Sequence, residues 1–172
     1  LRELYRITGE EIYKTALVHM WRSIARFDRH NTGGFSTFEQ AIGNPYIPGA
    51  IETCCTTAWA ALCTDMAHLM GPLESTAGDE LELSLFNSIL GSQHPSGRWW
   101  TYNTPMDGKR EASAHTIVFQ SRAGTPELNC CSVNAPRGIG VISEWGILND
   151  GSGKGFVINY FGPMEAEFDL SE

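Results

Sequence analysis

The chain has 172 residues, 42% of them hydrophobic, with a formal net charge of −8 and a pI near 5.1. That length and apolar content suffice for about one domain with a core. The acidic balance argues against a nucleic-acid surface, which carries a basic footprint, and no run of about 18 apolar residues marks a membrane span.

The chain opens on "LRELYRITGEEIYKTA", which carries no signal-peptide pattern and reads as the end of one helix and the start of the next. We therefore expect a piece of a longer protein. Over residues 9–28, Tyr13, Leu17, Met20, Ile24 and Phe27 recur at helical spacing. Thr8 is the expected cap, with Glu10 and Glu11 in the first turn, where the helix dipole favours acid. Glycines and prolines make residues 29–50 a long loop, and a loop of that length in a compact domain is usually functional. A second helix fits roughly 53–70, with Cys55, Ala58, Trp59, Leu62, Met66 and Leu69 on one face. A third fits 79–91, opened by Asp79 and carrying Leu81, Leu85, Phe86 and Ile89. A turn-rich stretch follows around Trp99, Trp100 and Tyr102, in which Trp99 and Trp100 are expected to pack, with His94 as a loop histidine. "HTIVFQ" (115–120) reads as a short strand, with His115 just before it as a weaker candidate for supporting a metal ligand. Residues 134–148 read as a helix capped by Asn134 with Pro136 in its first turn, and "FVINYFG" and "EAEFDL" read as strands. The openings "LYRITGEEIY" and "LESTAGDELEL" echo one another, each placing a glycine before an acidic helix start, a faint sign of repeated helix hairpins. Helices followed by strands predict a mainly α chain with β structure from about residue 150 onward.

The five cysteines are Cys54, Cys55, Cys63, Cys130 and Cys131, an odd number clustered in two places, which does not read as a disulfide framework. Cys63 and Cys55 are expected to be buried small residues on a helix. Glu52-x-Cys54 and the vicinal Cys130–Cys131 lack regular zinc-ligand spacing. Residues two apart on a helix point about 200° apart, so Glu52 and Cys54 can share an ion only at a helix start, in extended or capping geometry. Both clusters fall at expected helix N-termini, which favour thiolates. From spacing alone, a four-ligand metal site and two unrelated cysteine pairs both stand.

"TGGFSTFEQAIGNPYIPGAIETC", "DELELSLFNSILGS", "RWWTYNTPMDG" and "CCSVNAPRG" occur in that order. Together they resemble the β-L-arabinofuranosidase family, glycoside hydrolase family 127 (formerly DUF1680), over roughly residues 1–165. The resemblance implies residues 1–150 as the last portion of an (α/α)₆-barrel catalytic domain and 151–172 as the start of a β-sandwich. It implies zinc held by Glu52, Cys54, Cys130 and Cys131, with Cys130 also the nucleophile and Glu39 the acid/base. Glu82 and Tyr102 are implied sugar contacts, and the family's sugar-lining histidines lie upstream of the chain. The implied partners are a carbohydrate substrate and the remainder of the parent chain.

The implied chemistry is retaining hydrolysis of a β-L-arabinofuranoside or related rare sugar, with a thiolate replacing one of the usual two carboxylates. Three thiolates and a carboxylate around Zn²⁺ sum to −2, so a nearby donor is expected. Arg137 is the candidate by position, against a surface or cap role. The alternative function is a non-catalytic, zinc-stabilised carbohydrate-binding or structural module. An isolated piece of barrel is expected to be poorly soluble and inactive, because it leaves apolar helix faces uncovered.

Overall fold

The computed structural model describes residues 1–47, 49, 51–72, 76–104 and 130–168. Helix α1 (Arg2–Thr8) ends at Gly9, whose φ of 72° turns the chain and whose N–H donates to Tyr5 O. Helix α2 (Glu11–Phe27) follows at once. Thr8 closes α1 rather than capping α2, but its hydroxyl accepts the Glu10 N–H at 3.2 Å, so it does serve the junction. Leu17 and Trp21 are the buried positions of α2. Met20 and Phe27, expected on the same face, are exposed; at 100° per residue they sit about 60–80° round the helix from Leu17.

The loop after α2 is rooted on another helix. Gly33, with φ 80°, lies so close to Ser84 that a Cβ would come within 2.6 Å of its backbone nitrogen, and Ser84 Oγ donates to Gly33 O at 2.8 Å. The loop then passes Thr37, whose backbone bridges to Gln40 and to Ile51. Strand β1 (Ile51–Glu52) pairs antiparallel with β2 (Asn103–Thr104), Glu52 opposite Asn103.

Helix α3 (Thr53–Met70) spans the range its periodicity predicts and is the hub of the fold. Its buried face is rotated from the expected one: Thr53, Thr56, Thr57, Trp59, Ala60, Cys63, Thr64, Met66 and Ala67 are buried, so only Trp59 and Met66 of the expected set are among them and Ala58 is exposed. Threonines are tolerated inside because their hydroxyls return to the preceding turn, as from Thr57 to Thr53 O and from Thr64 to Ala60 O. Trp59 stacks on Trp21 of α2 with ring centroids 6.2 Å apart.

Helix α4 (Ala77–Ser84) widens into a π-helical turn over Leu85–Ile89 and tightens to 3₁₀ at Leu90–Ser92, so the expected single helix over 79–91 changes pitch twice. Leu81, Leu85 and Ile89 still enter the core with Cys63, Met66 and Trp145. Helix α5 (Cys130–Gly140) packs closely on this segment; a Cβ at Gly138 would meet Ile89 Cδ1 at 2.8 Å. Helix α6 (Ile142–Trp145) and strand β3 (Ile147–Asn149) complete the region expected as one helix over 134–148. That region starts four residues earlier than expected and breaks at Val141. Asn134 is thus inside α5 rather than its cap, and Pro136 falls in the second turn. Strand β3 pairs antiparallel with β4 (Phe156–Ile158), Leu148 opposite Val157, across the glycine-rich turn. "EAEFDL" has no strand over its described part, 165–168. Residues 115–120 and His115 lie outside the described residues. The chain is mainly α, with small antiparallel sheets.

Candidate metal centre

Glu52 is the N-cap of α3, in extended conformation with φ −89° and ψ 128°. A glutamate is an unusual cap, and here it does two things. Its Oε2 accepts the backbone N–H of Cys55, closing the first turn, while its Oε1 faces the thiol of Cys131 at 3.2 Å. The carboxylate is only 3% exposed, so these contacts replace water. Cys54 stands one residue inside the helix. The condition read from the sequence is therefore met: cap and first-turn residues project into one space.

From the other side, α5 begins with Cys130 and Cys131. The vicinal pair sits within the first helical turn rather than ahead of it. Cys54 Sγ lies 3.3 Å from Cys131 Sγ and 3.5 Å from Cys130 Sγ, and the two vicinal sulfurs are 4.0 Å apart. One ligand atom from each of Glu52, Cys54, Cys130 and Cys131 lies within 4.8 Å of the others, so this group can hold a metal ion.

The donor set and spacing fit zinc. A zinc–sulfur bond of about 2.3 Å sets sulfur–sulfur edges of roughly 3.8 Å in a tetrahedron, and the three observed separations bracket that value. The thiols also behave as a set short of positive charge. Bonds from the Cys131 thiol and the Asn134 amide hold Cys54 below the ordinary thiol range. Burial and the bond to Cys54 push Cys130 up to about 11, and Cys131 is pushed up by its bond to Cys54 and by burial. Of the three sulfurs only Cys54 is eased toward the thiolate; ionising Cys130 and Cys131 as well requires a compensating charge.

Glu39 and Tyr102 join this group. Tyr102, 3% exposed, directly precedes β2. Its carbonyl accepts the N–H of Thr53 at 3.0 Å and lies 3.7 Å from Cys131 Sγ, and its hydroxyl donates to Glu39 Oε1 at 2.7 Å. Burial, the Glu39 carboxylate and the charge at Cys130 all push the phenol upward. Glu39 reaches it from an exposed loop whose residues Phe38 and Glu39 hold positive φ of 50° and 63°, conformations that side chains other than glycine adopt at a cost.

Glu82 is exposed on α4 and is not among the residues that meet at the thiols. Arg137 is exposed and approaches the cluster only through Asn134. Cys63 is fully buried, as expected. Cys55 is half-buried, with a thiol pushed up to about 12 by burial. Trp100 packs in the interior, whereas Trp99 stacks on His94 at 4.3 Å. The residue that sequence reasoning misplaced is Asn134, whose Nδ2 donates to Cys54 Sγ at 3.3 Å. Its position four residues after Cys130, hence on the same helix face, was the available signal.

Among known proteins, the family model described as beta-L-arabinofuranosidase, GH127 catalytic domain, matches residues 1–144. No curated protein and no solved structure matches the chain.

Proposed function

Since the chain belongs to the GH127 β-L-arabinofuranosidase catalytic-domain family, we propose that it carries the nucleophile and acid/base of a retaining glycoside hydrolase acting on β-L-arabinofuranosides or a related rare sugar. The observation that carries this reading is the join between the two halves of the site. The four ligand atoms of Glu52, Cys54, Cys130 and Cys131 converge, and Tyr102, which bonds the carboxylate of Glu39, lies beside that same cluster.

In this reading a bound zinc ion, held by Glu52, Cys54, Cys130 and Cys131, keeps the thiols deprotonated. Cys130, half-buried where Cys131 is sealed, attacks the anomeric carbon and forms a carbon–sulfur bond as the glycosidic bond breaks. Glu39 gives its proton to the departing oxygen. Tyr102 occupies Oε1 of that carboxyl, which leaves the other oxygen to carry the proton. Glu39, now a carboxylate, takes a proton from water; the water oxygen attacks the same carbon, the carbon–sulfur bond breaks, and Cys130 returns to the thiolate. Two displacements give net retention. Tyr102 contributes as a sugar contact and as the group that orients Glu39. Glu82 is proposed as a further sugar contact.

A purely structural zinc module has no use for a carboxylate bonded to the tyrosine that borders the thiols, so we favour the enzyme reading. We also propose residues 1–150 as part of an (α/α)₆ barrel and 151–172 as the start of a β-sandwich. The exposed apolar side chains Ile7, Ile12 and Met20 support further helices packing on α1 and α2, and an isolated chain with little activity.

The test is hydrolysis of 4-nitrophenyl β-L-arabinofuranoside by the intact protein. Cys130→Ser is expected to abolish turnover, and Glu39→Gln to reduce it by about 10²–10⁴-fold. Full activity in Cys130→Ser would remove the nucleophile from this reading.

A further inference from the structure

The three sulfurs of the cluster are not equivalent, and the source of the difference lies on the second turn of α5. Asn134 directs its amide Nδ2 at Cys54 Sγ from 3.3 Å. The orientation of an amide is fixed by its other partner. Arg137, three residues on, places Nη1 3.4 Å from Asn134 Oδ1, and a guanidinium can only donate. The amide oxygen must therefore face the arginine and the NH₂ must face the sulfur. Cys54 thus receives an amide hydrogen in addition to its contacts with the other two thiols.

Cys130 is placed differently. Among the described residues it has no amide donor: the neighbouring hydroxyl, Tyr102, gives its hydrogen to Glu39 at 2.7 Å and is only the weakest of the influences on the Cys130 thiol. A sulfur that accepts a hydrogen bond has part of its electron density withdrawn and is a poorer nucleophile and a weaker metal donor. The hydrogen bonding therefore separates two half-buried sulfurs only 3.5 Å apart.

We propose that Asn134, oriented by Arg137, is a positioning residue that makes Cys54 the passive sulfur of the metal centre and leaves Cys130 the reactive one. Asn134 touches a ligand, not the reacting carbon. Arg137 acts through Asn134, which also gives the guanidinium a role in offsetting the charge of three sulfurs and a carboxylate without entering the cluster. The inference rests on the metal reading above.

The experiment loads the full chain with cobalt(II) in place of zinc and reads the sulfur-to-cobalt charge-transfer band. In parallel, the zinc-loaded chain is treated with iodoacetamide and alkylation is mapped by peptide mass. We expect Asn134→Ala to move the band to lower energy with one cobalt still bound per chain, and to raise alkylation of Cys54 relative to Cys130 by about tenfold or more. Arg137→Met, on an exposed side chain, is expected to shift both readouts the same way by less, and it keeps the test decisive should Asn134→Ala fold poorly. A bound cobalt with an unmoved band and an unchanged alkylation ratio in the folded variants would overturn this inference alone. Failure of the unmodified chain to bind either metal would overturn the metal reading and this inference with it.

Discussion

Helix α3 carries two cysteines whose surroundings could hardly differ more. Cys63, in its middle, is completely buried among apolar side chains, where burial pushes the thiol far up and Trp21 Nε1 is a hydrogen-bond partner at 3.2 Å. Cys54, at its N-terminal end, is held down by donors from α5. The same residue type on the same helix is inert packing at one site and eased toward the thiolate at the other. Nine residues apart, the two project from opposite faces of the helix. What differs is the supply of hydrogen-bond donors and of other ionisable groups within reach. Cys55 makes the point at closer range: one residue from Cys54, it has burial as the chief influence on it and stays a thiol.

The strongest way to break that comparison is to exchange the roles by mutation. Cys54→Ser is expected to weaken zinc binding on the order of 10³-fold, because structural zinc sites derive about 10–16 kcal/mol from their full ligand set; competition with a chromophoric chelator measures it. Cys63→Ala should leave zinc affinity unchanged and instead lower unfolding free energy by about 1–3 kcal/mol, from lost packing and the orphaned Trp21 N–H, read from urea midpoints. Equal effects of the two substitutions on zinc would erase the distinction between the two regions.

A pH series sharpens it. The Cys130 thiol is raised from 9.0 to about 11 by burial. A raised acid group lends the metal-free fold stability that is complete below the unfolded value and is lost as pH rises through the folded one. The urea midpoint of the metal-free chain should therefore fall between about pH 9 and 11, and zinc should remove that fall. The smallest effect concerns the acid loop. Burial lowers His30 from its ordinary 6.5, so its contribution is complete above that value and lost as pH drops below it. His30 Nε2 lies 3.0 Å from Thr37 Oγ1, two residues before Glu39. His30→Gln should flatten the acid limb of thermal stability without changing zinc affinity.

Legibility in the sequence followed the range of the interactions involved. The limits of α3 and the pairing of Glu52 with Cys54 are local, and periodicity and cap logic reach them. That Cys130 and Cys131 belong with them depends on a contact between residues 76 and 77 positions apart, which the ordered family motifs could indicate and spacing could not. The π turn at Leu85–Ile89 and the strand at Ile147–Asn149 were missed because their apolar residues also fit an α-helical period; close packing at Gly138 and pairing with β4 decide them. Asparagine shortly before a proline is a common helix start, which points to Asn134 as a cap, but the helix already runs through the cysteines.

The capping bond of Glu52 bears on denticity. With Oε2 bonded to the Cys55 N–H, Oε1 is the oxygen that faces the thiols. Together with three sulfurs, that makes a four-point, sulfur-rich ligand set. Calcium, which takes six to eight oxygens and favours two-oxygen clasps from glutamate, finds neither here. An ion that demanded both oxygens would compete with the bond that caps α3.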